Sequence, residues 1–443
     1  MSFPTNDILL LISEDFHDQT DKLQLLLVCR NWYSLLLPKA YKTISVHRHQ
    51  IYFLARSVQQ NPKIGAAIRN LNLTWESGPG PADDYEVDML MKTLKQKGNP
   101  EDNLDDWEVG LRTGCPDAWL TVLVLSLESI KSMDLRFSYS PYFLPMLARI
   151  AAKENPFSSK PVLQHLEKAL VRVENMKEYY DACDLLPFFY LPAMRVFTAG
   201  GICEDEPCIA PLELGTSGIR EIDLGGYNTN NGSRGMADYI TSCANLEIFD
   251  YQHDNKAIWG ESYIEFYPLL FYSALSTQKH SLRELRLNNH GENYPVSLDD
   301  DERDLKGFGS LTEFHQLREL QIPLHTLLQF DSNNQPKASL LEILPRSLEY
   351  LNLAVCREEE FDGVIKNLRG MLAQREERFP NLKKLEVHPY VLEMIPGATI
   401  PHSTNFAVPV STQQLFAPIE IACRDMGIQF GFRKDGNCTI RRA

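Results

Sequence analysis

One pattern, L-x-x-L-x-L, returns along this 443-residue chain and decides most of what it can fold into. The clearest copies are Leu282-Arg-Glu-Leu285-Arg-Leu287, Leu317-Arg-Glu-Leu320-Gln-Ile322, Leu348-Glu-Tyr-Leu351-Asn-Leu353 and Leu382-Lys-Lys-Leu385-Glu-Val387. Weaker copies begin at Ile68, Ile130, Leu166, Met194, Ile219 and Leu246. The last apolar positions of each copy alternate with polar ones, which is the two-residue period of a strand with one buried face. Apolar helical segments precede several copies, for example Tyr267–Leu275 and the stretch from Phe361 to Phe379, which carries Val364, Ile365, Leu368 and Leu372. Strand and helix in alternation place parallel strands side by side with helices behind them. The predicted fold is therefore α/β, a curved solenoid with strands on its concave face and helices outside. A helix over Leu415–Met426 and a strand from Ile428 to Phe432 would cover its exposed end.

Between the strands the chain is strongly acidic. Lysine and arginine total 44 against 59 aspartate and glutamate, a formal charge of −15. Bulk binding to nucleic acid or an anionic membrane needs the opposite sign. Residues 76–115 combine Gly-Pro punctuation with carboxylates and read as an acidic insertion, mobile and dispensable for folding. Nine scattered cysteines in a long chain argue against a disulfide framework. No apolar stretch approaches a membrane span, and no basic leader precedes Ile8–Ile12. Three Asn-x-Ser/Thr sequences, at Asn72, Asn231 and Asn437, read as chance matches in a protein of a reducing compartment, cytosol or nucleus.

Residues 1–46 read as a separate all-helical unit, with the repeats occupying 47–443. Ile8, Ile12 and Phe16 share a helical face. Asp21 and Gln24 suit a capping box for a helix that carries Leu23, Leu26, Leu27 and Arg30. A third short helix from Asn31 should stop before Pro38. So small a unit needs support from a neighbour or a partner.

Phe3-Pro4, Ile8-Leu9 and Val28-Cys29-Arg30-Asn31-Trp32 together resemble the F-box, the module that docks a substrate receptor on the Skp-type adaptor of a cullin-based ubiquitin ligase. The resemblance implies that Pro4, Ile8, Leu9, Ile12, Leu23, Leu27, Val28 and Trp32 meet the adaptor, and through it a cullin. Phe3 stands where leucine is usual, and Asp15-Phe16 where an aromatic-Leu pair is common. Residues 65–435 are similar to the irregular leucine-rich repeats of F-box proteins, fungal ones in particular. Apart from one longer gap, between Leu71 and Met133, the copies recur every 25–36 residues. That centres a little above the 20–29 of regular leucine-rich repeats. The resemblance implies the substrate-recognition subunit of an SCF-type ubiquitin ligase. Two other readings stay open: an F-box protein acting outside ubiquitin transfer, and a repeat scaffold with no ligase role.

Catalytic signatures are missing from the sequence: it has no H-E-x-x-H, no P-loop and no G-x-S-x-G. His47 and His49 would share a strand face but lack further ligands, and Cys203 with Cys208 lacks a second pair. The expectation is no enzyme, no metal and no cofactor. Binding should fall on the strand residues that point away from the leucines. One row across the copies contains Asp223, Asp250 and Arg286, and Tyr227, His253 and Asn288 follow in the adjoining segments. With one arginine, the row does not suit a phosphate-rich ligand. It suits a basic or polar segment of a protein partner.

Overall fold

A computed structural model describes Asp7, Leu10, Leu11 and residues 18–74, 87–98, 104–136, 140–173, 179–204, 208, 213–225, 230–253, 266–289, 307–330, 335–390 and 408–432. The chain forms two compact units, Met1–Asn175 with Asp184–Phe197, and Met176–Cys183 with Thr198–Ala443.

In the first unit, β1 (Thr43–His47), β2 (Asn70–Thr74), β3 (Ser132–Arg136) and β4 (Lys168–Arg172) lie parallel in chain order. The second unit receives β5 (Tyr180–Asp181), and β6 (Val196–Gly200) carries the chain across the division. It then contains β7 (Ile202–Glu204), β8 (Glu221–Leu224), β9 (Asn231–Gly232) and β10 (Ile248–His253). After these come β11 (Glu284–Asn289), β12 (Glu319–Pro323), β13 (Tyr350–Arg357), β14 (Lys384–Tyr390) and β15 (Gln429–Phe432). Within this unit β8, β10, β11, β12, β13, β14 and β15 are parallel neighbours in that order. The short strands β5, β7 and β9 form a second parallel sheet.

All ten copies of the repeat form strands, and the alternation is the one the leucines dictate. Leu71, Leu73, Met133, Leu135, Ile222, Leu224, Leu285, Leu287, Leu351, Leu353, Leu385 and Val387 are buried. Residues between them, such as Asn72, Asp134, Asp223 and Arg286, stay half-exposed. Helices fill the connections, among them Ile51–Gln60, Phe143–Ala151, Pro268–Leu275, Phe361–Ala373 and Val410–Asp425. Parallel strands require such crossovers, and the helices bury the leucine face.

The acidic insertion is not the loop expected for residues 76–115. Its described part folds into Asp88–Thr93 with a wider turn over Leu94–Gly98, then Leu104–Arg112, followed by the wholly buried Pro116–Val124. Val87, Leu90, Met91 and Leu94 recur at three- and four-residue spacing, as do Trp107 and Leu111, and all six are buried. The flanking carboxylates hid that period. Trp107 packs 4.6 Å from the Tyr142 ring. The Trp119 indole N–H donates to Leu111 O at 3.0 Å. Gly110 leaves room for Tyr142, whose hydroxyl lies 2.5 Å from where a Cβ would stand. Residues 76–86 lie outside the described residues.

The N-terminal unit also differs in detail. Asp18, not Asp21, caps the helix Gln19–Leu26, accepting from the Thr20 N–H at 2.8 Å. That helix ends at Leu26, and the next runs Arg30–Ala40 with Pro38 inside its last turn. Tyr41 N still reaches Leu37 O at 3.0 Å, so the proline removes one bond without ending the helix. β1 went unrecognised as a strand, although Ile44 and Val46 alternate with Thr43, Ser45 and His47. It straddles residue 46, so the sheet begins inside the stretch read as helical.

Trp107→Ala should lower the stability of the full chain by about 3–5 kcal/mol, the cost of emptying a packed aromatic site. A urea titration checks this. A mobile acidic loop would show almost no change.

Candidate functional site

The open face of the second unit's sheet is set by backbone register. Asp223 is opposite Asp250, Asp250 opposite Arg286, Arg286 opposite Gln321, Gln321 opposite Asn352, and Asn352 opposite Glu386. This is the row the repeat predicts. The first unit carries its own: Ser45, Asn72, Asp134 and Leu170.

Arg286 is the centre of the second unit's row. Its guanidinium lies 2.8 Å from Glu284, 3.2 Å from Glu319 and 3.5 Å from Asp250. Partial burial works against its charge, but Asp250, Glu284 and Glu319 outweigh that and hold Arg286 above the ordinary arginine range. Asp223 accepts from the Gly225 N–H at 3.0 Å. A Cβ on Gly225 would fall on the Asp250 carboxylate, so glycine is what lets Asp250 lie across toward Arg286. Three carboxylates thus surround one guanidinium, Asp223 adds a fourth on the strand beyond Asp250, and the patch keeps an excess of negative charge. Glu284 and Glu319 were missed as members, yet each is the third residue of an L-R-E-L copy. The two-residue period puts them on the face of Arg286, and they pair in register.

Asn288 also stands on this face, where its Oδ1 accepts from Gln321 Nε2 at 2.7 Å. His253 does not. It is fully buried, because it shares the inward parity of Phe249 and Tyr251. Its Nδ1 lies 2.9 Å from the Tyr251 hydroxyl and its ring 5.3 Å from Phe266. Its expected role on the binding surface is therefore withdrawn. Tyr227 lies outside the described residues.

Below this face is a buried polar network that sequence reasoning did not find. The Tyr251 hydroxyl accepts from the Gly232 N–H at 2.8 Å. Asn230 accepts from the Ile202 N–H at 3.0 Å and donates to Leu224 O at 2.6 Å. Glu204 accepts from the N–H groups of Arg234 and Met236 at 3.0 and 2.8 Å, ahead of the helix Ala237–Ser242. Burial pushes the Glu204 carboxyl above the usual range, against those two donors. In the first unit, burial raises Asp117 likewise, and it anchors Ser140, Tyr142 and Phe143. These carboxylates hold turns to helices. Asn231, the centre of one glycosylation sequence, is buried within the same network.

Cys208 is joined to Cys183 by a disulfide, so it is not half of a Cys203–Cys208 ligand pair. Register explains the choice: Cys203 lies in β7 opposite Asp181 and is buried, and Cys183 follows two residues after that aspartate. Among the described residues no three or more of histidine, cysteine, aspartate and glutamate group as a metal would need. No described helix is long and apolar enough to cross a membrane.

Of the expected adaptor-facing residues, Pro4, Ile8, Leu9 and Ile12 lie outside the described residues. Leu23 and Trp32 are half-buried. Leu27 and Val28, in the turn between the two helices, are 76% and 58% exposed. Leu26, Leu36, Leu37 and Ala40 form the small core behind them.

The leucine-rich repeat domain family matches residues 93–399, well over half of the chain, and the chain belongs to that family. A search of curated proteins finds no match. Protein–protein interaction is the function that this membership carries, on a surface that stacked repeats present.

Arg286→Gln should cost about 1–3 kcal/mol near neutral pH, the scale of hydrogen bonds to charged groups. The loss should shrink below about pH 4, where carboxylates take up protons. Urea midpoints at the two pH values measure it. Glu204 has the opposite sign. Because its folded-state pKa is raised, its contribution is full below the ordinary carboxylate range and falls as pH rises through the raised value. Wild type should therefore lose stability relative to Glu204→Gln as pH rises through that window. A flat difference would refute the reading.

Proposed function

We infer that this chain is a substrate receptor: its N-terminal helices dock on a Skp-type adaptor of a cullin-based ubiquitin ligase, and its repeats hold a protein substrate. The carrying observation is the apolar turn Leu27-Val28. Its side chains are exposed while the helices on either side already have a core, and it opens the Val28-Cys29-Arg30-Asn31-Trp32 sequence that resembles the F-box. Exposed apolar side chains at a short turn of this kind suit a helical partner. Leu11, in the preceding helical stretch, is exposed as well, at 64%.

In this reading the chain catalyses nothing. It works in the cytosol or nucleus and brings a substrate to enzymes held by its partners. The face around Asp223, Asp250, Glu284 and Glu319 favours a lysine- or arginine-rich segment of that substrate, by charge complementarity.

Leu27→Asp with Val28→Asp should weaken binding of purified Skp-type adaptor at least tenfold by calorimetry. The far-ultraviolet spectrum should be unchanged, because both side chains are already in water. An unaltered dissociation constant defeats the ligase reading and leaves a repeat scaffold. For the substrate face, Asp223→Asn with Glu319→Gln should reduce capture of lysine-rich synthetic peptides and flatten its salt dependence, with adaptor binding intact. Equal capture by wild type and variant would move the site elsewhere.

A further inference from the structure

We propose that the open face of the first unit holds an anion-binding site at Arg136 and Arg172, which takes a carboxylate or phosphate group of a protein partner. The site does not depend on adaptor docking and would serve a repeat scaffold equally.

Strand register places the two arginines. β3 and β4 are parallel neighbours, and Arg136 is directly opposite Arg172. Both are half-exposed, on the face away from Met133, Leu135, Ala169 and Val171, which are buried. Neighbouring strands are about 4.8 Å apart, so two guanidinium groups leave adjacent backbones on the same side. Like charges opposite each other on one sheet face are destabilising. An anion shared between them removes that cost.

The fold supplies an anion to one of the two. The Arg172 guanidinium donates to both oxygens of Asp134 at 2.8 Å. Asp134 stands two residues before Arg136 on the same strand and the same face, yet its carboxylate is turned to Arg172. Arg136 makes no ion pair and no hydrogen bond among the described residues. Arg172 with Asp134 therefore shows, inside the protein, the pairing that Arg136 leaves open. A planar guanidinium takes a carboxylate or a phosphate through two parallel N–H bonds.

The surroundings favour the same sign of ligand. The chain as a whole has a formal charge of −15. On the open face of β1–β4 the charged side chains, apart from His47, are Asp134, Arg136, Lys168 and Arg172, three cations to one carboxylate. Hydroxyls and amides occupy much of the remainder and pair across β1 and β2: Asn70 donates to Thr43 Oγ1 at 2.9 Å and Asn72 to Ser45 Oγ at 3.2 Å. Beyond them Thr74 and His47 are in register, with Thr74 Oγ1 2.8 Å from His47 Nδ1. A segment crossing the strands at the level of Arg136 thus meets polar groups on either side and no carboxylate. The arginines lie one step of the two-residue period beyond Asp134, so a row read through Asp134 misses them.

The test uses the full chain and two labelled synthetic peptides of equal length, one glutamate-rich and one containing phosphoserine, with binding followed by fluorescence anisotropy. Wild type should bind at least one of them. Arg136→Gln should weaken that binding at least tenfold, and Arg136→Lys should weaken it less. The urea midpoint of Arg136→Gln should be no lower than that of wild type, because the change breaks no bond and removes a like charge beside Arg172. Binding of both peptides supports a site for which a carboxylate suffices, and binding of the phosphoserine peptide alone supports one that reads a phosphate. Asp223→Asn with Glu319→Gln, on the second unit, should leave both affinities no weaker. No binding of either peptide, equal binding by wild type and Arg136→Gln, or a lowered urea midpoint in Arg136→Gln would each overturn the site.

Discussion

The register of these strands depends on a shared carbonyl that recurs from repeat to repeat. The residue just before most of the strands lends its C=O to two consecutive N–H groups of the next copy. Lys42 O receives Arg69 and Asn70 at 2.9 and 3.0 Å, and Arg69 O receives Lys131 and Ser132 at 2.7 and 3.0 Å. Arg220, Glu247, Arg283, Arg318 and Glu349 repeat the arrangement in the second unit. Because the carbonyl takes both donors, a strand can begin at one place only relative to its neighbour. That pins the register on which a two-residue period depends, since a one-residue slip would turn every leucine outward.

The side chains at those positions carry the same information. Arg220 pairs with Glu247 at 3.0 Å, Glu247 with Arg283 at 3.1 Å, and Arg318 with Glu349 at 3.8 Å, and Glu349 also pairs with Lys383. Lys131 and Glu167 make the equivalent pair in the first unit, at 2.7 Å. Exposed ion pairs add little stability individually. Their contribution is to specificity, because a slipped strand would set like charges side by side.

The strands were legible in the sequence because each is a local event: leucines at alternate positions read the same whether or not the neighbours are known. The open-face row followed from it, and Asp223, Asp250, Arg286 and Asn288 stand on that face. His253 was misplaced by treating the end of its strand as a connecting segment, although its own parity is that of Tyr251. The helices of the insertion were obscured because Asp105, Asp106 and Glu108 interrupt the apolar period around Trp107 without breaking it. Glu204, Asn230 and Tyr251 could not be paired from sequence at all. Their hydrogen bonds join residues in different strands and turns, and no spacing rule connects them.

The register also sets a vernier for any extended chain that crosses the open face. Neighbouring strands are about 4.8 Å apart, whereas an extended peptide advances about 3.3 Å per residue. Three residues of such a peptide therefore span nearly the same distance as two strands. A ligand lying across Asp223, Asp250 and Arg286 cannot present one side chain to every repeat. Side chains three apart on an extended chain point to opposite sides, so the ligand comes back into step with the same side toward the sheet only after six residues and four strands, and basic residues two apart drift out of register with the repeats.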